Sequence, residues 1–120
     1  MNALAVFVGG GAGAVLRWLV GKWALAWFGT GFPVGTISVN IVGSFLIGLA
    51  VAGLEGVGVG ARLFFVTGFL GGFTTFSAFS LDALTLWQRG ETMTAIGYVI
   101  GSVVLSLLAI VAGVWASRLL

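Results

Sequence analysis

The sequence predicts an all-α integral membrane protein, a single domain over residues 1–120 that is built from four transmembrane helices. Two observations predict this class. Hydrophobic residues make up 60% of the 120 residues, and charged residues only 7%, which is too few to cover the surface of a water-soluble domain. The charges also separate four apolar runs, each longer than the roughly 20 residues that cross the hydrocarbon core of a lipid bilayer.

The four predicted spans follow one another closely along the chain. They cover about residues 4–28, 34–54, 63–87 and 93–117. The links between them are Gly29–Phe32, Glu55–Arg62 and Gln88–Thr92. The second span follows the only proline, Pro33, a residue that suits a helix start. The middle link is rich in glycine, which predicts a turn.

The third span contains a stretch that is poorly suited to a helix. Gly71 and Gly72 are followed by Phe73, Thr74 and Thr75. On helix-propensity scales these five residues together cost about 3 kcal/mol relative to alanine. Non-helical backbone at membrane depth is tolerated only where it is buried in protein or lines a cavity. We therefore predict that the third helix is broken mid-membrane, at a functional position.

The charged residues give almost no bias for one orientation in the membrane. With four spans, Arg62 and Arg118 lie on one side, and Arg89 and Lys22 lie on or near the other. The positive-inside rule therefore has nothing to act on. Two interpretations stay open: the insertion machinery resolves a weak signal, or the chain inserts in both orientations and pairs with itself as an antiparallel, dual-topology homodimer.

Enzymatic and nucleic-acid functions are disfavoured by the composition. The chain has no cysteine and no histidine, so thiolate and imidazole chemistry are absent. The three acids, Glu55, Asp82 and Glu91, are spread along the chain, and a pair of catalytic carboxylates would need a chance meeting in the fold. Five basic residues are too few for a nucleic-acid surface. The sequence predicts that the protein is not an enzyme.

Polar side chains recur at helical spacing within uncharged spans. Two stripes at i, i+4 and i+8 each define one helix face: Thr36, Asn40 and Ser44 in the second span, and Tyr98, Ser102 and Ser106 in the fourth. The third span adds Thr75, Ser77 and Ser80. A single intramembrane hydroxyl is more often packing that bonds a carbonyl of the preceding turn. Two aligned stripes with an asparagine favour a polar track.

The composition of this track suits a small, hard anion. Hydroxyl and amide groups are donors, and no basic side chain or carboxylate lies at the centre of the track. Phe76 and Phe79, three residues apart, add aromatic edges with partial positive charge. Two phenylalanines at this spacing are, taken alone, more often core packing. Together with the hydroxyls and the amide, they favour a pathway for an anion that exchanges its water for hydrogen-bond donors.

Two other functions fit a chain of four short spans. A small proton-coupled multidrug or cation exporter needs a carboxylate in its first span, where this chain has only Arg17 and Lys22 as charged residues. A non-transporting membrane assembly protein would use glycine contacts such as Gly9-x-x-x-Gly13 and Gly97-x-x-x-Gly101. It would give no reason for Asn40 to lie on a pathway.

The motif Gly71-Gly-Phe-Thr-Thr-Phe-Ser-Ala-Phe-Ser80, with Gly35-Thr-Ile-Ser-Val-Asn-Ile-Val-Gly-Ser44 upstream, closely resembles the bacterial fluoride channels of the Fluc (CrcB) family. The resemblance extends over the whole chain. It implies a fluoride-selective, passive channel in the bacterial plasma (inner) membrane that exports toxic fluoride. It also implies an antiparallel homodimer with two pores and a structural sodium ion on the two-fold axis.

The resemblance also implies roles for individual residues. The pore-lining set would be Asn40, Phe76, Phe79, Thr36, Ser77, Ser80, Tyr98, Ser102 and Ser106. The backbone carbonyls of Gly71 and Thr74 would hold the sodium ion. Two positions depart from the family pattern, because Asp82 stands where many members have glutamate and Ala78 where a threonine or serine is frequent.

Overall fold

The computed structural model describes all 120 residues, and all of its regular structure is helical. The elements in chain order are α1 (Asn2–Phe28), α2 (Val34–Gly53), α3 (Val59–Arg62), the π-helix π1 (Leu63–Leu70), α4 (Gly71–Phe73), α5 (Ser77–Gln88) and α6 (Thr92–Ser117). Four helical runs are long and apolar enough to cross a membrane, the third being Val59–Gln88. The predicted all-α class with four membrane-spanning helices is confirmed.

The turn between the second and third spans is shorter than the predicted link. Helix α3 already begins at Val59, and the Arg62 backbone N–H donates to the Gly58 carbonyl at 3.2 Å. Gly56 has φ +82°, a left-handed conformation that glycine adopts without a steric penalty. One glycine therefore makes the turn, and the other glycines of the link do not prevent a helical start.

Alternate spans run parallel and pack closely. Helix α2 lies along α6, and a Cβ at Gly48 would collide with the Ile110 carbonyl, as one at Gly113 would with the Phe45 carbonyl. Helix α1 lies along π1 and α4 in the same way, through Gly9 and Gly13. Parallel packing of the first span with the third, and of the second with the fourth, is the arrangement that four successive passes through a bilayer produce.

The first and third links meet at one end of the molecule. Both terminal nitrogens of the Arg89 guanidinium donate to the Thr30 carbonyl at 3.2 Å, and the same group pairs with Glu91 at 3.5 Å. These side chains are exposed, and such a surface pair contributes little to stability. The Arg89 contacts matter for the geometry of the molecule, because they hold the first and third links together beside the ends of α1 and α5.

The third span changes its backbone conformation between α4 and α5. Thr74 is extended, with φ −87° and ψ 161°, and regular helix resumes at Ser77. The Thr74 hydroxyl donates back to the Leu70 carbonyl at 3.0 Å. The three intervening positions, called here the 74–76 segment, pack against the middle of α2, beside Asn40 and Gly43.

Candidate ion pathway

The 74–76 segment is held by the side chain of Asn40 on α2. The Thr75 backbone N–H donates to Asn40 Oδ1 at 2.8 Å, and Asn40 Nδ2 donates to the Thr75 carbonyl at 2.9 Å. A side-chain amide has an acceptor oxygen and donor hydrogens, so it can pair with both the N–H and the C=O of one residue. Asn40 therefore satisfies two backbone groups that no helical bond serves, and its second Nδ2 hydrogen stays available to a neighbour.

A groove of about 290 Å³ opens beside this pair, between α2, α6 and the start of α5. Its lining combines hydroxyls and an amide with apolar side chains: Asn40, Ser44, Ile47, Thr74, Thr75, Phe76, Phe79, Ser102, Val103 and Ser106. Asn40 and Ser44 on α2 and Ser102 and Ser106 on α6, which belong to the two predicted polar stripes, thus line facing sides of the groove. We call this space the polar groove.

One buried hydroxyl in the polar groove has no hydrogen-bond partner in the protein. Ser102 is 5% exposed, and its Oγ is buried without a hydrogen bond. A buried polar group that is left unsatisfied costs about 1–3 kcal/mol. The Ser102 hydroxyl is therefore a hydrogen-bond donor that no other group of the protein uses.

Three aromatic rings continue from the polar groove into the protein. The ring centroids of Phe76 and Phe79 are 5.5 Å apart, and those of Phe79 and Tyr98 are 5.2 Å apart. Phe79 and Tyr98 are buried, whereas Phe76 is 78% exposed. The series therefore begins on the surface of the protomer and ends in its core.

A second cavity, of about 240 Å³, lies beyond these rings at the end that holds the first and third links. Its polar lining includes Thr36, Asp82, Thr85 and Arg89. The Tyr98 hydroxyl donates to Asp82 Oδ2 at 3.2 Å. Since Tyr98 also contacts Phe79, it connects the polar groove to the second cavity.

The structure brings most of the expected site residues together. The polar groove contains Asn40, Phe76, Phe79, Ser102 and Ser106, while Thr36 lines the second cavity and Tyr98 lies between the two. Ser77 and Ser80 line neither cavity. Their hydroxyls are used locally, with Thr75 Oγ1 at 3.3 Å and with the Phe76 carbonyl at 3.0 Å. Such local bonds are the common use of an intramembrane hydroxyl.

Ser44 lines the polar groove, as its place on the polar stripe of the second span indicated. One contact of the site did not stand out in the sequence. Arg17 on α1 donates through Nε to the Gly72 carbonyl at 3.0 Å. This contact joins residues 55 positions apart, and no local pattern in the sequence predicts it.

The carbonyls expected to hold a cation have lost their usual helical donors. In an α-helix the Gly71 and Thr74 carbonyls would accept from the N–H groups four residues later. The Thr75 N–H donates instead to Asn40, and the Ala78 N–H donates to Thr75 Oγ1 at 3.1 Å. Both carbonyls are therefore free of these donors, and backbone oxygens of this kind can coordinate a sodium ion.

Comparison with known proteins adds a family to this geometry. Residues 4–114 match the family described as "CrcB-like protein, Camphor Resistance (CrcB)". A protein of Mesorhizobium japonicum named "Fluoride-specific ion channel FluC" is 50% identical, over 98% of this chain and 96% of its own. Proteins with the same name from Rhizobium johnstonii and Paracoccus denitrificans are 49% and 53% identical. They cover 100% and 96% of this chain, and 98% and 93% of their own.

Proposed function

This chain belongs to the CrcB family, and we propose that it is a fluoride-selective ion channel that passively exports fluoride from the cytoplasm and so relieves its toxicity. Relatives with this name share about half of its residues over almost their whole length. Four helical runs make it a multi-pass membrane protein. It is a channel and not an enzyme. Family membership also decides against the exporter and the assembly protein that the sequence left open.

The observation that carries this function is the unpartnered Ser102 hydroxyl in the polar groove. A fluoride ion accepts hydrogen bonds, and Ser102 has one to donate. The second Nδ2 hydrogen of Asn40, which lines the same groove, is also available. A small anion that loses its water shell in this groove would find hydroxyl and amide donors in its place.

We propose that the pathway runs from the polar groove past Phe76 and Phe79 to Tyr98 and the second cavity. The aromatic edges stabilise an anion weakly, without the tight binding that would slow its passage. Asp82 engages the Tyr98 hydroxyl and marks the far end. The proposed pore-lining set keeps Thr36, Asn40, Phe76, Phe79, Tyr98, Ser102 and Ser106, while Ser77 and Ser80 would join the pathway only where a second protomer completes it.

We further propose that two copies assemble as an antiparallel, dual-topology homodimer in the bacterial inner membrane. Gly97 and Gly101 on α6 support this, since a Cβ at either position would meet nothing within 4 Å, in contrast to the glycines packed inside the protomer. Such a small-x-x-x-small face is typical of a helix–helix contact in lipid. The exposed Phe76 and the absence of a positive-charge bias favour the same assembly.

The proposed dimer would hold a structural sodium ion through the carbonyls of Gly71 and Thr74 from both protomers, as the family resemblance implies. Support comes from the two diverted N–H groups, which leave these oxygens without their helical donors. The hydroxyls of Thr74 and Thr75 bond elsewhere and do not replace those donors. When bound, the cation would supply positive charge near a pathway whose centre has no basic side chain.

Growth of a fluoride-sensitive bacterium that lacks its own fluoride channel tests this function in cells. Expression of the chain should restore growth at a fluoride concentration that arrests the untransformed strain, and Asn40→Asp at the same expression level should not. Arrested growth with the wild-type chain in the membrane would contradict the proposed function.

A further inference from the structure

We propose that Asn40 is a positioning residue for the cation site, in addition to its place in the polar groove. Its amide holds the Thr75 backbone away from the third helix and so keeps the Gly71 carbonyl free. This inference rests on the proposed sodium site. It assigns to one side chain two tasks, anion passage and cation retention, that can be separated by substitution.

The hydrogen bonds that carry the inference come from outside the third span. Asn40 and Thr75 are 35 residues apart, and the amide engages both the N–H and the carbonyl of Thr75. No residue near Thr75 in sequence serves either group. Helix α2 therefore determines the backbone conformation at this point of the third span.

Close packing brings α2 near enough for this contact. A Cβ at Gly43 would collide with the Thr74 methyl group, so a larger residue there would displace the Thr74 side chain or α2. Val39, next to Asn40, is 1% exposed and fixes the rotation of α2. Asn40 thus reaches Thr75 from a helix that cannot easily turn or retreat.

The alternative partner of the Thr75 N–H is the Gly71 carbonyl. In a membrane, an unpaired N–H is costly and takes whichever acceptor is within reach. Removal of the Asn40 acceptor leaves the Gly71 carbonyl as the acceptor that a regular helix would offer. That hydrogen bond would occupy the oxygen and turn it away from a cation.

Two substitutions separate the tasks of Asn40. Asn40→Asp loses the donor to the Thr75 carbonyl but keeps the acceptor for the Thr75 N–H, which is the bond that frees the Gly71 carbonyl. It also adds a negative charge to the groove, so it should block fluoride and retain sodium. Asn40→Leu removes the acceptor and should lose both functions. Asn40→Ser, whose side chain is too short to reach the Thr75 N–H, should behave like leucine, and it replaces Asn40→Leu in the comparison if that variant does not assemble. Ser44→Ala, one turn along the same groove, is the matched control.

The measurement is the rate at which purified protein loses sodium. Each variant is transferred to a buffer that contains only a bulky organic cation, and bound sodium is followed by elemental analysis over days. We expect Asn40→Leu and Asn40→Ser to lose sodium about tenfold faster than wild type, the scale of one hydrogen bond. Asn40→Asp should retain sodium at least as long as wild type, and Ser44→Ala should match wild type.

Equal retention in wild type, Asn40→Leu and Asn40→Ser would overturn the positioning role, as would rapid loss in Asn40→Asp or in Ser44→Ala. A wild-type protein that contains no sodium, but still conducts fluoride, would overturn the cation site and this inference together. It would leave the proposed channel function intact.

Discussion

At the scale of single residues, Phe76 and Phe79 test whether aromatic edges matter for the pathway. Replacement of either by isoleucine roughly keeps the apolar volume and removes the positive ring edge. We expect fluoride flux to fall at least tenfold in each variant while the dimer persists. Flux measurements on protein of verified oligomeric state check this, and normal flux in both variants would remove the two rings from the pathway.

Ser102 tests the donor that the polar groove leaves unpaired. Ser102→Ala removes a buried hydroxyl that bonds to no other protein group, so the protein should lose little stability. Fluoride flux should fall severalfold, because one donor to the desolvated anion is missing. Thermal unfolding and flux are measured side by side, with Ser117→Ala, whose hydroxyl bonds the Val114 carbonyl away from both cavities, as the control. An equal loss of flux in both variants would show that Ser102 has no special role.

Residue-scale prediction from the sequence succeeded where a helix face carried the signal. Helical spacing alone placed Asn40 with Ser44 and Ser102 with Ser106, and the structure puts these four residues around one groove. The contact of Arg17 with the Gly72 carbonyl could not be found in this way, because it depends on how α1 packs against α4. The Asn40–Thr75 pairing was hidden for the same reason.

At the scale of helices, substitutions at two glycines of α6 test the folding of the protomer and the assembly of the dimer separately. Gly113→Leu places a side chain against the Phe45 carbonyl and should destabilise the protomer, by about 1–3 kcal/mol or more for an overpacked contact. Gly97→Leu meets open space in the protomer and should leave its fold intact while it weakens the dimer. Thermal unfolding and cross-linking in membranes give the two readouts. A Gly97→Leu protein that dimerises like wild type would contradict the proposed α6 contact.

The sequence predicted the helices well and their contacts less well. Apolar runs bounded by charges indicated four spans, since a span of this length is dictated by the bilayer. Both Gly-x-x-x-Gly motifs looked equivalent, yet Gly9 and Gly13 are packed inside the protomer and Gly97 and Gly101 are not. The spacing shows that a close contact is possible, but the partner helix is decided by the whole fold.

At the scale of the whole molecule, the near-zero charge bias makes orientation easy to control. Two or three lysines added to the 55–62 link should hold that link in the cytoplasm, and the same lysines in the 88–92 link should invert the protein. Each variant alone should lose fluoride flux, because no oppositely oriented partner is present, and coexpression should restore it. Full activity from one fixed orientation would rule out the antiparallel dimer.

Fluoride efflux from liposomes that contain only the purified protein tests the proposed channel function most directly. Liposomes are loaded with potassium fluoride, valinomycin balances the charge, and a fluoride electrode records the release. Parallel liposomes loaded with chloride measure selectivity, and Asn40→Asp provides the inactive protein control. We expect rapid release of fluoride from wild-type liposomes and no release of chloride above that from protein-free liposomes. Fluoride release no faster than from protein-free liposomes, or equal release of fluoride and chloride, would contradict it.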